Sequence, residues 1–220
     1  MIKNFKMRIA CDPRGKISTG KKSEKGFPQS LDYFYINEFP ELIEMYGDKP
    51  AELFLYMPSD NIMDFFDCEF NTYGSNAAKK RSCDGEVCIH RIDEKIGDTE
   101  YVAGEQTGCV CEKLSPTDKN RCKYVAYLRA WIVSPTSGKV DNHLCYLLET
   151  HSQNSGDAIY SELQKIQFLN KGFLRGVKFS LTVKMIGGKT DAKQKFPIWA
   201  LRGVGSVSQI QEKTRLMLER

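Results

Sequence analysis

Thiols are the side chains best equipped for chemistry in this chain. Of its eight cysteines, Cys83, Cys109, Cys111 and Cys122 fall in or beside one segment, residues 74–123, that is poor in apolar residues and rich in Cys, Gly, Lys and Asp. Such a stretch cannot close a core by itself, so an ordered form of it needs a metal or a covalent tie. Zinc prefers thiolate and imidazole in tetrahedral sets of four. Cys109-Val110-Cys111 sets two thiols one residue apart, with Cys83 before them and Cys122 after. The expectation is one structural zinc on Cys83, Cys109, Cys111 and Cys122. Cys88 and His90 share the segment, and either can stand in for Cys83; Cys88 can also be a free thiol. Cys83 opens the sequence Cys83-Asp84-Gly85, a tight turn that directs backbone amides at a sulfur, and this favours it. Four thiolates leave no open coordination position, which points away from a catalytic metal. Cys11, Cys68 and Cys145 sit in apolar or isolated contexts and read as small buried hydrophobes.

No catalytic constellation accompanies the thiols. The three histidines, His90, His143 and His151, form no HExxH pair, and no GxSxG elbow, Walker loop or GxGxxG fingerprint occurs. Gly187-Gly188-Lys189-Thr190 lacks the upstream glycine of a phosphate loop and reads as a turn. His151, between Thr150 and Ser152, reads as a satisfied histidine at a strand end. The chain is therefore expected not to be an enzyme and to have no small-molecule substrate.

Composition narrows the setting. The formal net charge is +4, with 41% hydrophobic and 27% charged residues. That balance supplies a core and an ordinary polar surface but not the basic excess of a DNA-wrapping protein, so DNA contact is expected to be weak or indirect. No apolar run approaches the ~20 residues that cross a bilayer. The N-terminal stretch lacks the apolar core of a secretory signal. The expected location is the cytoplasm, where metal binding or burial explains cysteines better than disulfides do.

The elements that must position these residues can be read from periodicity and punctuation. Residues 1–26, with Lys16, Lys21, Lys22 and Lys25, suit a basic loop or an extended hairpin. Leu31 to Ile36 has strand character, Pro40 to Tyr46 suits a short helix stopped by Gly47, and Glu52 to Met57 a buried strand. Ser59 or Asp60 is expected to cap a second short helix carrying Ile62, Met63, Phe65 and Phe66. Residues 124–133 are apolar on both faces, as in a central strand. After a turn at Pro135-Thr136-Ser137-Gly138, Leu144 to Leu148 returns as its hairpin partner. Ile159, Leu163, Ile166 and Leu169 mark an amphipathic helix over 155–170, capped by Ser155 or Asp157 and closed by Gly172. A second hairpin follows, Leu174–Ile186 with Phe196–Leu201, and its loop 187–195 is polar and basic. Ser206 can cap a last helix with Val207, Ile210 and Met217 or Leu218 inward. The expected fold class is α+β, a mainly antiparallel sheet with helices on one face. The expected organisation is a single domain over 1–220, with 74–123 a zinc-binding insert.

The order of short motifs carries a resemblance. Gly26-Phe27-Pro28 and Asp32-Tyr33-Phe34 are followed by Tyr46-Gly47-Asp48-Lys49-Pro50. Next come Cys83-Asp84-Gly85, Cys109-Val110-Cys111 and Cys122-Lys123, and finally Glu149-Thr150-His151-Ser152 with Ser155. From about Gly15 to Leu201 the chain resembles the large recombination directionality factors of phages and integrative elements that carry serine integrases, a group often labelled hydrolase or metal-binding protein. The resemblance implies Cys83, Cys109, Cys111 and Cys122 as the matching cysteines and leaves Cys88 and His90 outside the pattern. Val110 replaces the proline usual inside the CxC motif. The resemblance also implies a partner, a large serine integrase contacted at its coiled-coil arm, with attL × attR excision favoured and attP × attB integration opposed. The interface is not singled out; Phe65-Phe66 to Tyr73 and the loop 187–195 are the candidates. The competing expectation is a zinc-containing single-stranded nucleic-acid-binding or replication-accessory protein, supported by the basic loops and aromatic strands.

Overall fold

The computed structural model describes residues 12–23, 26–74, 78–115, 117–118, 120–136, 144–187, 195–205 and 207–218. Cys11, Lys25, Ser137, Gly138, His143, the loop residues 188–194 and Ser206 lie outside them. In chain order, β1 (Lys16–Lys22), β2 (Pro28–Tyr35), α1 (Pro40–Tyr46), β3 (Glu52–Tyr56) and β4 (Phe66–Tyr73) come first. Five short strands follow: β5 (Lys79–Cys83), β6 (Val87–His90), β7 (Glu94–Ile96), β8 (Thr99–Tyr101) and β9 (Gln106–Gly108). The chain ends with β10 (Lys123–Val133), β11 (Cys145–Thr150), α2 (Gln153–Leu169), β12 (Lys178–Gly187), β13 (Lys195–Gly203) and α3 (Val207–Leu218). The result is mostly sheet, mainly antiparallel, with a few helices. No helix among the described residues is long and apolar enough to cross a membrane.

The chain divides into two compact units. The first comprises the residues up to Asp67 together with those from Tyr127 onward; the second runs from Cys68 to Ala126.

In the first unit β12 pairs antiparallel with both β13 and β3, and β3 pairs antiparallel with β10. β11 pairs with β10, and with β1 in parallel at Lys16↔Leu147 and Ile17↔Leu148. β1 and β2 form an antiparallel hairpin, the extended form of the basic N-terminal segment. Trp199 of β13 is fully buried at the centre of the packing. Its backbone N–H donates to Ser155 Oγ at 2.9 Å and its Nε1 to Thr19 Oγ1 at 3.0 Å, while Phe34 meets its ring edge-on at 5.2 Å. Through its backbone N–H and its ring, this one residue ties β13 to α2, β1 and β2, and both N–H groups have a partner.

Three readings of the sequence need correction. The expected second helix is a single 3-10 turn at Ile62–Asp64, capped by Asn61 rather than Ser59 or Asp60, and Phe66 already begins β4. Ser59 and Asn61 bind the Asp64 carboxylate at 2.7 and 3.0 Å, a local closure that competes with helix propagation. The cap of α2 is Ser152, whose Oγ accepts from Ser155 N–H, because Ser155 itself is buried and holds Trp199. Cys145 is buried as expected, but it is disulfide-bonded rather than a free thiol.

α2 packs its Ile159, Leu163 and Ile166 face inward, against β13 and β11. Gly203, at the end of β13, lets α2 and α3 approach the strand together. A Cβ there would stand 2.9 Å from Ile166 Cδ1 and 3.4 Å from Ile210 Cδ1.

Candidate metal centre

The second unit is built of narrow antiparallel strands in the order β4-β5-β6-β9, with β7–β8 as a separate two-stranded ribbon. Its apolar interior is small and rich in sulfur: Cys83, Cys88, Tyr101 and Val110, with Phe70, Ile96 and Cys109 packed against them. Of the aliphatic side chains in this segment, Val110 and Ile96 join that interior, while Val87, Ile92 and Val102 are exposed.

The strand register delivers the thiols. Cys83 ends β5 and pairs with Cys88 on β6. Between them Gly85 takes φ +110°, a conformation that costs a Cβ-bearing residue dearly, and its N–H donates to Cys83 Sγ at 3.2 Å. Asp84 closes the same turn by accepting from the N–H groups of Glu86 and Val87 at 2.9 and 2.8 Å. Cys109 and Cys111 flank Val110 where β9 runs into a 3-10 turn at Val110–Lys113. Cys122 immediately precedes β10. Its N–H donates to Cys111 Sγ at 3.1 Å, and its sulfur accepts from Thr72 Oγ1 at 3.2 Å.

The four expected thiols are therefore electrostatic neighbours, Cys83 of Cys109 and Cys111 of Cys122. Cys88 lies close enough to feel Cys122, Cys83 and Cys111. Burial raises the Cys83 and Cys111 thiols, against the N–H groups of Gly85 and Cys122 that act the other way. Burial, with Cys122 and Cys83 adding to it, pushes Cys88 up to about 12. Cys68, expected to be a small buried hydrophobe, is exposed. As placed, no three His, Cys, Asp or Glu side chains among the described residues converge at ligating distance on one point.

His90, the alternative ligand, is held on both sides of its ring. Its ring is fully buried, with Nδ1 at 2.8 Å from Glu94 Oε1 and Nε2 at 3.1 Å from Thr107 Oγ1, and it stacks on Tyr101 at 4.2 Å. Both nitrogens are engaged.

Arg81 is the feature that sequence reading missed. It is fully buried on β5, two residues before Cys83. Its Nη2 donates to Asn120 O and Thr72 Oγ1, and Nε lies 3.1 Å from Glu94 Oε1 as an ion pair without hydrogen-bond alignment. Nε and Nη1 have no hydrogen-bond partner. Its charge favours the thiolate forms of Cys88 and Cys111. A buried cation with orphaned N–H groups beside a nest of thiols is costly unless anions form there. Four thiols, N–H···S bonds from Gly85 and Cys122, and a compensating buried cation are a donor set that fits a divalent soft metal. Nothing in the run Lys79-Lys80-Arg81-Ser82 marks Arg81 for burial; the strand pairing alone does.

Residues 14–204 match the Gp3-like family, described as recombination directionality factor-like, and the chain belongs to that family. Membership implies a role in recombination with a protein partner. No curated protein and no solved structure matches the chain.

Proposed function

We propose that this protein is a recombination directionality factor that acts by binding a large serine integrase in the bacterial cytoplasm. It works without catalysis of its own, promoting attL × attR excision and inhibiting attP × attB integration. The observation that carries the reading is the family match across residues 14–204. Physically, the factor needs only differential affinity. A partner that binds the excisive arrangement of the integrase's coiled-coil arm more tightly shifts the population toward it. No contact with DNA is required.

The second unit, in this reading, is held by one structural zinc on Cys83, Cys109, Cys111 and Cys122. The metal supplies a cross-link among segments that have little apolar area to bury. Support comes from the paired thiols, the two N–H···S bonds and the buried Arg81 charge.

A partner surface is most economically placed on the first unit. Phe168, near the C-terminal end of α2, is 85% exposed, the most exposed large apolar side chain described. Gln167 Nε2 donates to Asp60 O at 2.5 Å, which brings the 60–64 segment, with its exposed Met63, to the same end of α2. Of the earlier aromatic candidates, Phe65 and Phe66 are buried and Tyr73 is exposed, while residues 188–194 of the loop 187–195 lie outside the described residues. The test mixes purified protein, cognate integrase and paired att sites. Stimulated attL × attR recombination and suppressed attP × attB recombination are expected. An attL × attR yield that is the same with and without the protein defeats the proposal.

A further inference from the structure

A cavity of about 740 Å³ opens in the first unit where β1 and β11 part company. The two strands run parallel and pair as far as Ile17↔Leu148. Beyond that point β1 shifts register between Ser18 and Gly20 to stay with β2, while residues 149–152 lead away into α2. Phe196 and Pro197 of β13 also line the space. Where two paired strands diverge, backbone and side chains on both are free to receive a ligand.

The hydrogen-bond inventory of the walls is one-sided. Thr19 and Thr150 are more than nine-tenths buried. Thr19 Oγ1 accepts from Trp199 Nε1 at 3.0 Å, and Thr150 Oγ1 accepts from Ser152 N–H at 3.2 Å. A hydroxyl also carries one hydrogen to donate, and neither threonine donates to any group in the described structure. Lys21 has no carboxylate partner there. Lys16 and His151 share one oxygen of Glu149, at 3.1 and 3.2 Å. Burial raises the Glu149 carboxyl, but His151 and Lys16 outweigh it and hold it below its ordinary value. Glu149 thus stays a carboxylate and balances Lys16, leaving Lys21 uncompensated. The walls present donors and positive charge, with an exposed aromatic ring, Phe196, beside them.

We propose that this cavity binds a phosphate monoester carrying a planar apolar body, of nucleoside monophosphate size. A phosphoryl group offers three acceptor oxygens and close to two negative charges. That suits hydroxyl and ammonium donors arriving from two strands better than the two oxygens of a carboxylate. The ring system would rest on Phe196. The terminal phosphate can come from a free nucleotide or from the 5′ end of a DNA strand. None of the thiol-centre residues lines this cavity.

The test titrates the full chain with inorganic phosphate, with a deoxynucleoside 5′-monophosphate, and with a short single strand with and without a 5′-phosphate. The mononucleotide is expected to bind one site about tenfold or more tighter than inorganic phosphate, because only it stacks. Lys21→Met, a change at an exposed position, is expected to weaken it about tenfold with unchanged thermal melting. Phe196→Ala should remove the advantage over inorganic phosphate. Competition by the 5′-phosphorylated strand alone would identify a DNA end as the source, and its absence a free nucleotide. Failure of every probe to saturate, equal affinity for phosphate and mononucleotide, or undiminished binding by K21M would each overturn the proposal.

Discussion

Cys83 and Cys88 stand directly opposite one another across the β5–β6 hairpin, and only Cys83 receives a backbone N–H, from Gly85 at 3.2 Å. A tetrahedral centre takes four thiolates, and this neighbourhood holds five sulfurs. The N–H···S bond lowers the cost of a negative sulfur, so Cys83 is expected to be the ligand and Cys88 the packing residue. Cys88→Ala is expected to keep one zinc per chain, measured by elemental analysis, at a cost of ~1 kcal/mol in lost packing. Cys83→Ser, and equally Cys111→Ser, should lose the metal. Chelation of the wild type should then release order from residues 68–126, seen as lost amide protection there, while the Trp199 core of the first unit stays protected. A metal-free preparation with the same protection pattern would exclude the zinc.

Arg81 offers a second, separable test. It is fully buried, two of its nitrogens lack hydrogen-bond partners, and its carboxylate partner Glu94 is shared with His90. Thiolates beside it would complete its electrostatic environment. Arg81→Met should therefore weaken the holo protein by ~3–5 kcal/mol, the cost of leaving Glu94 and the thiolates without their cation. Because the lost charge favours thiolate over thiol, zinc release on acidification should also move to higher pH in the variant. A purely structural arginine would lower stability without moving the release pH.

Much of the first unit was legible in the sequence because its signals are local. Pro40 and Gly47 bracket α1, and the Ile159, Leu163, Ile166 spacing marks the inner face of α2. The failures were of two kinds. At 59–66, side-chain bonds from Ser59 and Asn61 to Asp64 compete with a helical pattern that apolar spacing alone cannot discount. Arg81 and the cavity donors Thr19 and Thr150 are set by long-range pairing. An Arg in a Lys-Lys-Arg-Ser run looks solvated until β4 and β6 close on either side of it. The Cys83-Asp84-Gly85 turn lay between these cases. Its N–H···S bond follows from three adjacent residues, whereas the approach of Cys109, Cys111 and Cys122 needs the whole unit.

Asp60 predicts a pH effect. Its carboxylate accepts from the N–H groups of Leu174 and Arg175, both at 2.8 Å, and from Arg175 Nε at 2.7 Å. Burial alone would raise this carboxyl, but the three donors prevail and hold it below 3.8. A carboxyl depressed in the folded state stabilises fully above its unfolded value, and the contribution fades as pH falls through the folded value. Asp60→Asn keeps an acceptor but loses the charge, and should cost ~1–2 kcal/mol at pH 7. Urea unfolding should show the gap between wild type and variant narrowing only below about pH 4. A gap independent of pH would mean that the charge contributes nothing and that Asn merely fits less well.

Phe168 tests the partner surface. A side chain 85% exposed contributes little to folding, so Phe168→Ser should leave the melting temperature nearly unchanged. Aromatic side chains dominate protein interfaces when a partner desolvates them, and truncating such an anchor typically costs ~2 kcal/mol or more of binding. Affinity for the cognate integrase is therefore expected to fall by about thirtyfold, measured by interferometry with immobilised integrase. Stimulation of attL × attR recombination should then need correspondingly more protein while its ceiling is preserved. Met63→Ser should act in the same direction if the partner covers this end of α2, and more weakly, since its side chain is smaller and half exposed. Full affinity in both variants would move the integrase contact away from this end of the helix while leaving the recombination role intact.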